Sequence, residues 1–242
     1  MSRPTNAFVL AAGLGTRMRP LTETVPKPLV SLAGRALIDH ALDRLAAAGI
    51  ERAVVNVHYL ADQIEAHLTT RESPRILISD ERPKLLDTGG GIAKALPLLG
   101  SGPFVVHNSD SVWLEGPVAN IPALMSTWES ERMDALLLVA AAVDSLGYEG
   151  SGDFVMDANG RLGRRQASRP APFVFTGVSI LHPRLLDGFD SDVFSLNAPW
   201  DRAIEAGRLY GMRMDGFWMH VGTPQALADA ERAIREGEAG AA

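Results

Sequence analysis

The stretch VLAAGLGTRMRPLTETVPKPLV, Val9 to Val30, decides how the rest of this chain is read. An apolar run ends in Ala11 and Ala12, turns through Gly13 and Gly15, and then meets Arg17, Arg19 and Lys27. A strand that stops here leaves backbone N–H groups without ladder partners, and such groups bind phosphate oxygens. Glycine lets the backbone approach closely because no Cβ intervenes, and the alanines leave room for a flat ring. Two familiar phosphate motifs are excluded. No Lys-Ser/Thr pair follows a second glycine at P-loop distance, and the dinucleotide fingerprint lacks its third glycine while Pro20 interrupts the expected helix. What remains is Arg17 beside the glycines and Lys27 fixed between Pro26 and Pro28, a guanidinium fork and a rigid ammonium suited to a polyphosphate and a second phosphate.

Outward from this loop, short runs rich in Val, Ile, Leu and Phe alternate with helical periodicity. AFVLAA, RAVVNV, RILISD, PFVVHN and DALLLVAA read as strands. Ile38, Leu42, Leu45 and Ala48 recur at helical spacing with Gly49 as a stop, and further helices are expected over Gly90 to Leu99 and Ile121 to Arg132. That alternation predicts an α/β fold, a Rossmann-like and mostly parallel sheet flanked by helices. After about Asp144 the pattern changes. GDFVMDANGRL reads as two strands around an Asn-Gly turn, FVFTGVSILHP as another strand, and YGMRMDGFWMHVGT as a last strand or hairpin. PQALADAERAIREGE reads as a closing helix with Pro224 in its first turn, and the tail GEAGAA as disordered. The expected organisation is one domain over residues 1–242, with a mostly parallel half to about 143 and a smaller antiparallel half from about 144.

The charge balance, 23 Lys+Arg against 29 Asp+Glu for a net −6, argues against a nucleic-acid coat or an anionic-membrane binder, so any anion site is local. The absence of cysteine removes disulfides and thiolate chemistry. The apolar run Ala7 to Ala12 is too short for a secretion signal or a membrane span, and the expected location is cytoplasmic.

The glycine-rich stretch closely resembles the signature of the sugar-1-phosphate nucleotidyltransferases, or nucleotide-sugar pyrophosphorylases. The resemblance continues through AGRALIDHALDRLAAAGI, VVNVHYLADQI, LLDTGGGIAKALPLLG, FVVHNSD and WMHVGTP. Within that family, DTGGGI, NSDSVW and FTGVSILHP look most like the branch that joins UTP to N-acetylmuramate 1-phosphate in cell-wall recycling. Branches using GTP with mannose 1-phosphate, or a thymidine nucleotide with glucose 1-phosphate, share the fold and chemistry.

The resemblance implies that the half to about 143 binds the nucleotide and the half from about 144 binds the sugar, and it implies roles for particular residues. Arg17, Lys27 and Asp110 are the expected catalytic set. Ala11, Ala12, Gly13, Gly15, Thr16, Glu81, Thr88, Gly90 and Asn108 are expected at the nucleotide, and Asp153, Thr176 and Gly177 at the sugar. Asp110, at the expected C-terminal edge of a central strand, could cap a helix or hold Mg²⁺ as a hard oxygen ligand; the family favours the metal. The family's second metal carboxylate, ahead of a Val-Gly-Thr turn, is replaced here by His220, a poorer ligand for Mg²⁺, with Asp215 a distant compensating candidate. The Glu-Lys-Pro string whose lysine grips the sugar phosphate in relatives is missing, leaving Arg164 or Arg165 to supply that charge. Trp113 reads either as a wall for a sugar face or as core. The partners are a nucleoside triphosphate and a sugar 1-phosphate, with no nucleic acid and no membrane. His220 and the missing lysine also motivate a second class of reading, a non-catalytic nucleotide-sugar sensor.

Overall fold

The computed structural model describes residues 3–240. β1 (Asn6–Leu10) runs into the basic loop, which coils into three 3-10 turns at Thr16–Met18, Leu21–Glu23 and Lys27–Leu29. A small hairpin of β2 (Ser31–Leu32) and β3 (Arg35–Ala36) follows. The chain then alternates through α1 (Leu37–Ala47), β4 (Arg52–Val57), α2 (Ala61–Leu68), β5 (Arg75–Asp80), α3 (Asp87–Leu99) and β6 (Phe104–Asn108). β7 (Ser111–Glu115), α4 (Asn120–Thr127) and β8 (Ala135–Ala141) close the front half. The back half adds β9 (Phe154–Met156), β10 (Leu162–Arg164), β11 (Phe173–Leu181), α5 (Asn197–Glu205), β12 (Leu209–Arg213), β13 (Gly216–His220) and α6 (Pro224–Gly240).

β5, β4, β1 and β6 lie side by side in parallel, β11 joins β6 antiparallel, and β8 and β12 complete the sheet beyond it. The result is the mostly parallel, helix-flanked sheet that the alternation predicts. β11 comes from the back half yet sits between two front-half strands, and the β9–β10 hairpin attaches beside its first residue through Phe173 and Phe154. The expected turn is there: Asp157 Oδ1 accepts from the Asn159 and Arg161 N–H groups, and Gly160 takes a φ of 80°.

α1 shows the local logic. Ile38, Leu42 and Leu45 are buried on one face, and the helix stops where Gly49 adopts a φ of 83°. The Ile50 N–H then donates to Leu45 O at 3.0 Å and the Gly49 N–H to Ala46 O at 2.9 Å, which is the Schellman closure. One core cluster joins the sheet to α1, α2 and α4, and a second, containing Phe8, Ile92, Phe104 and Trp200, joins it to α3 and α5.

Three expectations are corrected. YGMRMDGFWMHVGT is not a hairpin: β12 pairs with β8 in the main sheet while β13 pairs with β7 in a separate two-stranded sheet. The link between them is held elsewhere, because Asp215 accepts from the Val118 N–H and donates its own N–H to Asn120 Oδ1. The helix expected to Arg132 ends at Thr127, since Trp128 turns extended, buries its ring and donates from Nε1 to Ser130 Oγ. Of the tail expected to be disordered, residues 237–240 belong to α6, whereas Ala241 and Ala242 lie outside the described residues. Among the described residues, no helix is long and apolar enough to cross a membrane.

Candidate active site

The parallel strands end level with one another. Leu10 is in register with Asn108, and Val57 with Asp80, so Ala11 to Gly13, Ser109, Asp110 and Glu81 collect along one sheet edge. Carboxyl ends of parallel strands are where open α/β sheets bind ligands. A cleft of about 440 Å³ lies there, lined by the Leu10 to Gly13 backbone, Lys27, Asn56, Glu81, Thr88 and the Asn108 to Asp110 turn, among others.

Lys27 and Asp110 meet across this cleft, Nζ to Oδ2 at 2.5 Å. The pair ties the basic loop to the end of β6. Burial by itself would raise the Asp110 carboxyl, but the charge and hydrogen bond of Lys27, with the field of His220, hold it below its usual value. His220 reaches this neighbourhood because the β7–β13 ladder sets it opposite Ser111, the residue after Asp110. Burial lowers the His220 pKa and Asp110 opposes that shift, while Lys27 and Arg17 reinforce it, so the imidazole is neutral near pH 7. Arg17 is exposed on the first 3-10 turn, within electrostatic range of His220. Asp110, Lys27, His220 and Arg17 are thus brought to one neighbourhood.

Gly13 and Gly15 differ in kind. A Cβ on Gly13 would meet nothing within 4 Å, whereas one on Gly15, at φ +64°, would stand 3.0 Å from Lys27 Cβ and 3.1 Å from Thr22 Cγ2. Thr22 Oγ1 also donates to Gly15 O. Thr16 is exposed beside Arg17 and Asn108 lines the cleft, while Thr88 accepts the Leu196 N–H on its hydroxyl.

Several expected roles change. Glu81 borders the cleft but is fully buried, and its carboxylate is spent within the protein: Oε1 accepts from Asn56 Nδ2 at 2.8 Å and Oε2 from the Leu86 N–H at 3.2 Å. Gly90 is not in the cleft lining. Its Cβ would strike Asp192 O at 2.0 Å, so the glycine run serves close packing of α3 against residues 192–194. Thr176 is 1% exposed and donates to Leu138 O, which turns it into the sheet at an irregularity in β11. Gly177, at φ +89°, packs on the Asn108 side chain instead. Trp113 is core, buried between His107 and Arg44. Asp215 sits at the far end of the β7–β13 ladder, about five residues or roughly 15 Å from His220, too far to complete a metal site. The Arg165 guanidinium donates to the carbonyls of its own neighbours Gln166 and Ala167, and Arg164 is held against α5.

Beside the cleft a second cavity of about 270 Å³ holds Asp153, Phe154, Arg164, Phe175 and Trp200, sharing Leu10, Thr88 and Asn108 with the first. Asp153 Oδ2 accepts the Phe175 N–H at 2.9 Å. Asn56, Val193, Ser195, Leu196, Asn197 and Trp200 also line these cavities, and none of them carries a charge or a glycine that would mark it in the sequence. The helical spacing of Trp200, Ala203 and Ile204 was the available signal for α5.

Residues 6–144 match the nucleotidyl transferase family. The chain is 51% identical over 237 residues to the N-acetylmuramate alpha-1-phosphate uridylyltransferase of Caulobacter vibrioides, covering 96% of this chain and 98% of that one. It is 36% identical to the protein of the same name in Neisseria meningitidis, over 93% of this chain and 96% of that one. Among solved structures, a UDP-glucose pyrophosphorylase complexed with UDP-glucose superposes with a TM-score of 0.80 over 97% of this chain and 99% of that one, at 17% identity, a likeness of fold. The chain therefore belongs to the nucleotidyl transferase family. Within it, the chain is a sugar-1-phosphate nucleotidyltransferase, as the opening stretch implied.

Proposed function

We propose that this enzyme joins UTP to N-acetylmuramate α-1-phosphate, forming the UDP-sugar and pyrophosphate. The observation that carries the reading is 51% identity along nearly the whole of both chains, with the Lys27–Asp110 pair standing at the strand edge beside the glycine loop. The acceptor supplies its own nucleophile, because a phosphate monoester with a second pKa of about 6 is largely dianionic at neutral pH. The protein's task is then alignment and charge neutralisation. The amides of Ala12 to Gly15 and the Arg17 guanidinium hold the departing pyrophosphate, and Lys27 holds the two phosphates that react. No covalent enzyme intermediate is needed.

Mg²⁺ fits the residues present in a limited way. Among the described residues, no three His, Cys, Asp or Glu side chains group as a metal site, so an ion here would draw most ligands from phosphates and water, as Mg²⁺ prefers. Asp110 would hold it, with neutral His220 beside it, and its chemistry would be to neutralise phosphate charge. Lys27 occupies the Asp110 carboxylate in this structure, so the ammonium must give up that contact as it turns to phosphate.

A matrix of UTP, GTP, dTTP and ATP against N-acetylmuramate, mannose and glucose 1-phosphates, scored by pyrophosphate release with Mg²⁺, tests the reading. UTP with N-acetylmuramate 1-phosphate should exceed every other pair at least tenfold. A different best pair would replace the substrates, and no release with any pair would favour the sensor reading. Lys27→Ala should lower turnover by at least about two orders of magnitude without loss of fold. Asp110→Asn should still bind UTP, measured by calorimetry, yet lose Mg²⁺-dependent turnover.

A further inference from the structure

The two cavities divide their charges. Lys27 and Asp110 line only the nucleotide cleft, and Arg164 lines only the second cavity. An acceptor whose phosphate sits at Lys27 has its sugar extending past Leu10, Thr88 and Asn108 into the second cavity, where Phe154, Phe175 and Trp200 supply apolar faces of the kind that sugar rings stack on. Its single phosphate is already engaged, so an anion that reaches Arg164 is a second anion on the same molecule.

Arg164 is built to meet one. Its Nε donates to Asp201 Oδ1 at 2.6 Å, and Nη2 donates to Asn197 O at 3.2 Å and Asn197 Oδ1 at 3.0 Å. Those bonds fix the plane of the guanidinium, and its carbon lies 4.9 Å from the Phe154 ring centroid and 5.9 Å from that of Trp200. Nη1 has no hydrogen-bond partner among the described residues, so a positioned donor edge is left over. Asp201 is largely exposed, and solvent screens its charge. Phe154 and Trp200 flank the guanidinium, and a bond from Nη1 to an anion would be charge-assisted, stronger than one between neutral groups. Asp153, also in the lining of this cavity, has one oxygen on the Phe175 N–H and leaves the other for a sugar hydroxyl.

We infer that Arg164 is the specificity-determining residue for the acceptor, donating from Nη1 to a carboxylate carried on the sugar ring. This rests on the proposed function above. Muramic acid is glucosamine carrying a lactyl ether, and that ether bears the only carboxylate that separates the two sugars.

The test compares wild type with Arg164→Met, which keeps an apolar stem, and Arg164→Lys, which keeps the charge. Each is assayed with UTP against N-acetylmuramate 1-phosphate and N-acetylglucosamine 1-phosphate, with melting temperatures measured in parallel. Loss of one charge-assisted hydrogen bond should lower the ratio of the two kcat/KM values about 10- to 100-fold in Arg164→Met, chiefly through KM for the muramate, and Arg164→Lys should recover part of it. An unchanged ratio in Arg164→Met, or equal losses on both acceptors, overturns the inference. If Arg164→Met melts below assay temperature, Arg164→Lys decides: a retained preference supports the role, and parallel losses refute it. Wild type that uridylylates both acceptors equally defeats this inference while leaving nucleotidyl transfer intact, whereas no transfer to either acceptor defeats both.

Discussion

Gly13 and Gly15 stand two residues apart and answer to different neighbours. Nothing in the protein crowds Gly13 and its backbone is not left-handed, so the chain's own packing gives no reason for a glycine there, and the proposed function supplies one in a phosphate drawn against the backbone. Gly15 combines a left-handed backbone with close contact to Lys27 and Thr22. Gly13→Ala should therefore change stability by less than about 0.5 kcal/mol, or raise it slightly by restricting the unfolded chain, yet lower kcat/KM for the nucleoside triphosphate at least tenfold. Gly15→Ala should cost about 1 to 2 kcal/mol and lower activity as well, because it displaces Lys27. Denaturant titration beside steady-state kinetics checks both, and equal stability losses would defeat the distinction. At this scale the sequence was legible where residue type fixes charge, as with Lys27 and Asp110, which the fold brings into contact at the sheet edge. It was not legible where orientation decides, because residue type does not say which way a side chain faces: Thr176 turns into the sheet and Glu81 turns toward Asn56.

Elements are tied at the site by a buried relay from β1 through β4 to the residue after β5. The Ala11 N–H donates to Asn56 Oδ1 at 2.7 Å, Asn56 Nδ2 donates to Glu81 Oε1, and the Leu86 N–H ahead of α3 donates to Glu81 Oε2. Every donor has an acceptor, and Gly91 lets α3 lie against both side chains, since its Cβ would stand 2.7 Å from Glu81 Oε1. Glu81→Gln replaces one acceptor by a donor facing a donor, which should cost about 1 to 3 kcal/mol. Asn56→Asp sets two buried carboxylates together and should cost more. The two changes combined reverse the polarity of the central bond and keep both outer ones. The double variant should then be at least about 2 kcal/mol more stable than Asn56→Asp alone and should recover its KM for UTP. Additive losses in a denaturant cycle would refute the relay. In the front half, β1, β4, β5, β6, β8, α1 and the body of α3 were readable because their periodicity is local. The places of β7, β11 and β13 were not, because each is set by a partner strand distant in sequence: Trp218 faces Trp113, and Val178 faces His107.

Over the whole molecule, the pH response follows from histidines that the fold keeps uncharged. His107 lies at the centre of the sheet on β6, stacked on Trp113, and burial lowers its pKa from 6.5 to about 4, with Arg44 adding to the shift and the Asn108 carbonyl opposing it. His40, His182 and His220 are shifted in the same direction, each chiefly by burial. The sign is fixed by linkage. Between about pH 6.5 and pH 4 the unfolded chain binds a proton at position 107 that the folded chain refuses, so the unfolded state gains protons and stability falls as pH falls. Full stability from this group is present above 6.5, and the loss from it ends near pH 4, where the folded ring also protonates. Each such histidine contributes a slope of at most about 1.4 kcal/mol per pH unit. His107→Gln, which keeps a donor for the Asn108 carbonyl without a titrating ring, should be less stable than wild type at pH 8 because the stacking on Trp113 is lost. Its stability should nevertheless decline less steeply between pH 6.5 and 4.5, by up to one proton's worth of slope. Guanidinium denaturation at half-unit pH intervals measures both slopes. Parallel curves would show that His107 already carries its proton in the folded enzyme, and the neutral ring at the centre of the sheet would have to be abandoned.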